Sequence, residues 1–253
     1  MAGAGPLVVL LHAGVADRRS WYAVAPRLAD IGTVVAYDRR GFGDSPPSTR
    51  PFRHLDDLTA VLGRLGPERA WLVGSSMGGQ LALDAAVSSP DRIAGLVLFA
   101  PAVSGAPDPE QLDPDTQRLS DLLDAAFEAG DLEQANRLET WLWLDGPTSP
   151  EGRVAGPGRE LALAMNGVVL DNAVPEEAGE SGLNAWAQLE QIQVPTTIVW
   201  GDLDVPFTVE QSAHVAGRIP RSRQQRLSGM AHLPYLERPD LVADIIRGTI
   251  GTA

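Results

Sequence analysis

The chain predicts an α/β fold, a mostly parallel sheet covered by helices on both faces. Three observations carry this. Short, continuous apolar runs recur at residues 7–11, 33–37, 70–73, 95–100 and 196–200. Strands that are apolar on both sides are buried on both sides, as in parallel sheets. Segments with helical spacing alternate with them. The third observation is a glycine-rich turn, Gly74-Ser75-Ser76-Met77-Gly78-Gly79, set between a strand and a helix pattern. At 253 residues the chain is long enough for one such domain with an insertion.

Residues 7–11 form the first strand and lead into His12-Ala13-Gly14. Residues 20–28 read as a helix, with Pro26 tolerated near its first turn or at a kink. The strand at 33–37 runs into a tight loop, Asp38-Arg39-Arg40-Gly41-Phe42-Gly43-Asp44-Ser45. Leu55, Leu58, Val61, Leu62 and Leu65 give a helix over 52–65. The strand at 70–73, the glycine turn and a helix to about Ser88 come next, then the strand at 95–100.

The alternation stops at Pro101. Residues 104–191 carry helical patterns only, at 115–129, 131–143, 159–169 and 183–192, broken by Pro/Gly stretches at 146–150 and 156–158. They are expected to form a helical cap inserted into a core of residues 1–103 and 192–253. The sheet resumes at 196–200 and 223–227, and residues 239–250 close the chain as a helix with Pro239 at its start.

Composition removes several function classes. Net charge is −13 and no basic cluster offsets it, so neither nucleic acid nor an anionic membrane is an expected partner. With no cysteine, thiol catalysis and disulfides are out. All 20 basic residues are Arg, which removes a lysine Schiff base and the P-loop lysine. No apolar run approaches the ~18 residues of a spanning helix. Residues 7–11 are too short for a signal-peptide core and lack a basic start, so a cytoplasmic location is expected.

The glycine turn carries the chemistry. A G-x-S-x-G at a strand-to-helix turn holds its central residue in a strained conformation over the sheet end. Ser76 is therefore the candidate nucleophile. A serine needs a base, and the base needs an orienting carboxylate. His232, in the loop after the last strand, is best placed to reach the carboxyl edge of the sheet. His54 and His214 belong to helices, and His12 is expected to be a structural hydrogen-bonder. The acid should come from the strand end at Gly201-Asp202-Leu203-Asp204. Asp204 is the choice and Asp202 the rival, one of them being a turn-stabilising aspartate. The order Ser76, Asp204, His232 is that of one fold in particular. Two N–H groups must face the developing oxyanion. Met77 supplies one, and Gly14 is favoured for the other, with Val15 as the alternative.

Other patterns carry nothing. Gly41-Phe42-Gly43 lacks the third glycine of a dinucleotide fingerprint. Residues 108–115 lack the glycine and terminal glutamate of a calcium loop. The histidines show no metal spacing. Trp141 and Trp143 are equally suited to lining a substrate pocket and to packing the cap.

On the residues quoted from His12-Ala13-Gly14, the Asp38–Ser45 loop, the Ser76 turn, Gly201-Asp202-Leu203-Asp204 and Ala231-His232-Leu233-Pro234, the chain resembles the α/β-hydrolase-fold enzymes over nearly its whole length. It is similar within them to the small esterase, enol-lactonase and cofactor-free perhydrolase-like groups. The resemblance implies a mostly parallel sheet, a cap after the family's sixth strand, acyl-enzyme chemistry and no metal or cofactor. A serine nucleophile speaks against haloalkane dehalogenases and epoxide hydrolases, which use aspartate there. The expected substrate is a small, largely apolar ester or lactone, held between Val15, Trp141, Val205, Phe207 and Leu233, the alternatives being perhydrolysis, thioester hydrolysis, acyl transfer or C–C hydrolysis at the same site, or ligand binding without catalysis. There are two departures from the family. His12-Ala13-Gly14 replaces the commoner His-Gly-X, and Met1–Pro6 cannot supply the family's first strands. A six-stranded sheet is predicted, with residues 33–37 at an exposed edge that invites a homodimer.

Overall fold

The structure is a computed structural model that describes residues 5–172 and 179–252. Among these residues six strands form one wholly parallel sheet: β1 (Leu7–Leu11), β2 (Thr33–Ala36), β3 (Ala70–Ser75), β4 (Ile93–Phe99), β5 (Thr196–Gly201) and β6 (Ser222–Leu227). Their spatial order is β2-β1-β3-β4-β5-β6. The predicted strand count and the edge position of β2 both hold, and β6 forms the other edge. Strands β1, β3 and β5 are buried along their whole length, which is why they read as unbroken apolar runs. β6 alternates little and is mostly exposed, as an edge permits.

Helices cover both faces. α1 (His54–Leu65), α2 (Met77–Ser88) and α6 (Pro206–Arg218) pack on one face through Leu58, Leu62, Leu81, Leu83 and Val215, against Val9, Leu72 and Leu98. On the other face α8 (Pro239–Gly251) and the short helix α7 (Pro234–Glu237) pack with Trp21 and Leu28 against Val8, Leu10, Val73 and Phe99. Between β4 and β5 lie α3 (Pro114–Glu128), α4 (Leu132–Thr140) and α5 (Pro157–Asn172), with no strand among the described residues of that stretch. Leu119, Ala135, Leu138 and Leu142 give these helices a small core of their own, which Val205 joins from the sheet domain. No helix among the described residues is long and apolar enough to cross a membrane.

Three predicted helices come out differently. Residues 20–28 form two short 3-10 turns, Arg18–Trp21 and Ala25–Leu28. Pro26 sits in the first turn of the second, where its missing N–H costs nothing. The pattern at 183–192 yields only a 3-10 turn, Trp186–Gln191. Ser104 anchors its start: Ala185 N–H donates to the Ser104 hydroxyl and Trp186 N–H to the Ser104 carbonyl. The pattern at 131–143 stops being α-helical at Thr140 and continues as a single π-helical turn, Trp141–Asp145.

Candidate active site

The strand order reverses between β1 and β3, because β2 lies to one side of β1 and β3 to the other. In an open parallel sheet that reversal opens a crevice at the carboxyl ends of the two strands. β1 ends there in His12-Ala13-Gly14 and β3 in Ser75-Ser76. The sequence-predicted groups thus converge by topology before any side chain is considered.

Ser76 joins β3 to α2 with φ 51° and ψ −118°, a backbone conformation that non-glycine residues rarely adopt. Three main-chain hydrogen bonds hold it there. Its N–H donates to Phe99 O at 3.0 Å, and its carbonyl accepts from Ala102 N–H at 3.1 Å and Gln80 N–H at 2.9 Å. The flanking glycines are sterically required. A Cβ on Gly74 would stand 2.3 Å from Gly78 O, and one on Gly78 would stand 2.2 Å from Leu11 O. The strained turn is therefore fixed from both adjacent strands.

Met77 is the first residue of α2, so its N–H is one of the groups that a helix start leaves without an intrahelical partner. The helix dipole adds positive potential at the same point. Gly14 lies against it, since a Cβ on Gly14 would be 2.6 Å from Met77 Sδ. The two predicted oxyanion donors are thus neighbours. The loop carrying Gly14 is held by His12, which is fully buried. His12 Nδ1–H donates to Ala13 O at 2.8 Å, and His12 Nε2 accepts the Arg39 N–H at 3.2 Å. Burial, and then the charge of Arg39, push the His12 pKa well below the usual imidazole value. His12 is neutral and structural.

Asp204 follows β5 and His232 follows β6. His232 Nδ1 lies 2.8 Å from Asp204 Oδ2, with both side chains almost wholly buried. The other carboxylate oxygen accepts Val205 N–H at 2.7 Å. Asp202 has a different role: its Oδ1 accepts Gly229 N–H at 2.6 Å and ties the β5 loop to the β6 loop. It is the turn-stabilising aspartate of the pair.

Both cap tryptophans suited a pocket on sequence and only Trp141 was placed against the substrate, whereas the structure puts Trp143 against His232. Trp141 donates to Ser149 O at 2.8 Å, lies under the Arg118 guanidinium and packs with Val205 and Phe207 in the cap cluster. Trp143 is the one at the site. Its ring centroid is 4.6 Å from that of His232, and its carbonyl accepts His232 N–H at 3.2 Å. Arg153, which the sequence did not single out, clamps this arrangement. It donates to the carbonyls of Leu144, Asp145 and Gly229 and to the Glu237 carboxylate, which also accepts Ala231 N–H. Val15 and Leu233 pack with the Trp21 and Tyr235 side of the core.

Comparison with known proteins agrees with this fold. A family model described as the alpha/beta hydrolase fold matches residues 6–239. The chain is 26% identical to a pimeloyl-[acyl-carrier protein] methyl ester esterase of Aeromonas hydrophila, over 98% of this chain and 97% of that one. It is 27% identical to a putative 2-succinyl-6-hydroxy-2,4-cyclohexadiene-1-carboxylate synthase of Bacillus subtilis, over 96% and 89%. Among solved structures it is similar to Est816, described as an N-acyl homoserine lactone degrading enzyme, with TM-score 0.77, 25% identity and coverage of 97% and 93%. The extent of the family match and the arrangement around Ser76 agree: the chain belongs to the alpha/beta hydrolase family.

Proposed function

We propose that the protein is a serine hydrolase that cleaves small carboxylic esters or lactones through an acyl-enzyme. The observation that carries this reading is the buried His232–Asp204 pair, delivered to the same sheet edge as the strained Ser76 turn. In the proposed reaction Ser76 Oγ attacks the ester carbonyl while His232 Nε2 takes its proton. Asp204 fixes the imidazole in the Nδ1–H tautomer and stabilises the cation that forms. The Met77 and Gly14 N–H groups receive the oxyanion. His232 then protonates the leaving alcohol, and water releases the acyl group by the same route. The esterase and lactonase activities named for the similar proteins support ester bonds over other acyl substrates.

A fluorophosphonate probe tests this. Ser76 should be labelled and lost as the labelled site in Ser76→Ala, which should also lose about a million-fold in turnover of p-nitrophenyl esters. An unlabelled Ser76 would favour a ligand-binding protein without catalysis, and a Ser76→Ala variant with near-normal turnover would overturn the assignment.

A further inference from the structure

A cavity of about 240 Å³ is lined by Met77, the residue after Ser76. Its walls include Arg39, His54, Met77, Gln80 and Asp84, and Gly179–Ser181 close it. We propose that this cavity is a subsite for an acyl group that ends in a carboxylate, with Arg39 as the anion receptor. The proposal deepens the ester-hydrolase reading and rests on it.

Arg39 is only 3% exposed. Its Nε faces His12 Nε2 and its Nη2 donates to Ala13 O at 3.0 Å. Nη1 has no acceptor, and no carboxylate forms an ion pair with the guanidinium, among the described residues. Burial pushes its pKa down to about 10, so it remains a cation at neutral pH. The Phe42 ring covers its face, with the guanidinium carbon 4.5 Å from the ring centroid, while its edge has no counter-charge among the described residues, which is costly for a buried cation. The planar edge of a guanidinium matches a carboxylate best.

His54 points the same way. It is 5% exposed, and neither ring nitrogen has a hydrogen-bond partner among the described residues. Phe42 and Phe52 pack on its ring, and burial followed by the Arg39 charge lowers its pKa to about 4. It stays neutral, so one ring N–H is free to donate into the cavity. The carboxylate in the cavity wall is already satisfied. Asp84 Oδ1 accepts the Ser104 hydroxyl at 2.5 Å and Oδ2 the Ser181 hydroxyl at 2.6 Å, and burial raises its pKa. Glu180 is exposed at the rim.

The connection to the reaction is Met77. It follows Ser76 directly and its flexible thioether side chain is part of the cavity wall. In the proposal an acyl chain bound at Ser76 displaces this side chain to reach Arg39. The volume is below the ~300–1,000 Å³ of sites for drug-sized ligands, so the chain is short.

The test compares p-nitrophenyl monoesters of glutaric and adipic acids with neutral p-nitrophenyl hexanoate and heptanoate. The native enzyme should prefer the anionic esters in kcat/KM. Arg39→Met also frees Ala13 O beside the oxyanion loop, so kcat/KM should fall for both classes, and the preference for the anionic esters should fall by a further about 10- to 100-fold. Should Arg39→Met fail to fold, Gln80→Glu sets a like charge in the cavity wall and should abolish the preference in the same way. A preference for the neutral esters, or an equal loss for both classes in either folded variant, overturns the proposal. Binding is read separately in Ser76→Ala by thermal shift. Glutarate should stabilise it and hexanoate should not, and Arg39→Met should remove the effect. This readout needs no turnover. Absent ester cleavage with glutarate binding intact would sink the hydrolase reading alone, and absent glutarate binding would sink the subsite.

Discussion

His232 Nδ1 faces Asp204 Oδ2 at 2.8 Å, in a site that excludes solvent from both side chains. In the proposed reaction the aspartate acts by orienting the imidazole and balancing its charge. Asp204→Asn should lower kcat by about 10³–10⁴-fold, because an amide permits the wrong tautomer. Asp202→Asn keeps the acceptor for Gly229 N–H and should change kcat by no more than about a few-fold. Steady-state kinetics on one p-nitrophenyl ester separates the two. A larger loss at Asp202 would reverse the assignment.

The φ of 51° at Ser76 makes a prediction about stability rather than rate. Ser76→Gly and Ser76→Ala both remove the hydroxyl, yet only glycine relieves the backbone strain. Ser76→Gly should be the more stable of the two by about 1 kcal/mol, net of glycine's extra unfolded-state entropy. Chemical denaturation of the pair measures this. Equal midpoints would mean that the turn stores no strain.

Trp143 holds His232 with its ring and with its carbonyl. Trp143→Ala removes the ring and keeps the carbonyl. It should lower kcat about 10-fold by loosening the imidazole, with KM for a short ester changed less. Trp143→Phe should restore most of the loss. If KM alone moves, Trp143 touches substrate and does not position the base.

His54 links stability to pH. Its pKa is 6.5 when free and about 4 in the fold, where burial is the main cause. The unfolded chain therefore binds the proton first as pH falls. The stabilisation is complete above pH 6.5 and is lost between 6.5 and about 4, amounting to about 3 kcal/mol. His12 shifts in the same direction and adds to the slope. His54→Phe, flanked by Phe42 and Phe52, should flatten part of that slope in denaturation series from pH 7 to 4. An unchanged slope would show that His54 is hydrated in the folded protein.

Much of this site was legible from the residues alone. Parallel strands all point their carboxyl ends to one edge, so any group just past a strand end arrives at that edge. Ser76, Asp204, His232 and Gly14 all satisfy this condition, and the glycines around Ser76 mark the sharp turn. Five apolar runs likewise became β1 to β5, since burial leaves a continuous signal, while β6 is a strand that its edge position leaves mostly exposed.

Other features were decided only in three dimensions. Asp202 and Asp204 are two residues apart on one loop, and only the fold shows which carboxylate meets His232 and which caps Gly229. Trp141 and Trp143 fit one helical pattern and both fall in the π turn, two residues apart. Only the packing shows that the Trp143 ring lies against His232 and that Trp141 is tied to Ser149 O. Arg39, His54 and Ser181 are far apart in sequence and show no spacing, yet they share one cavity. Periodicity reports which face of an element is buried. Which buried groups meet depends on how distant elements pack, and that is set by the tertiary structure.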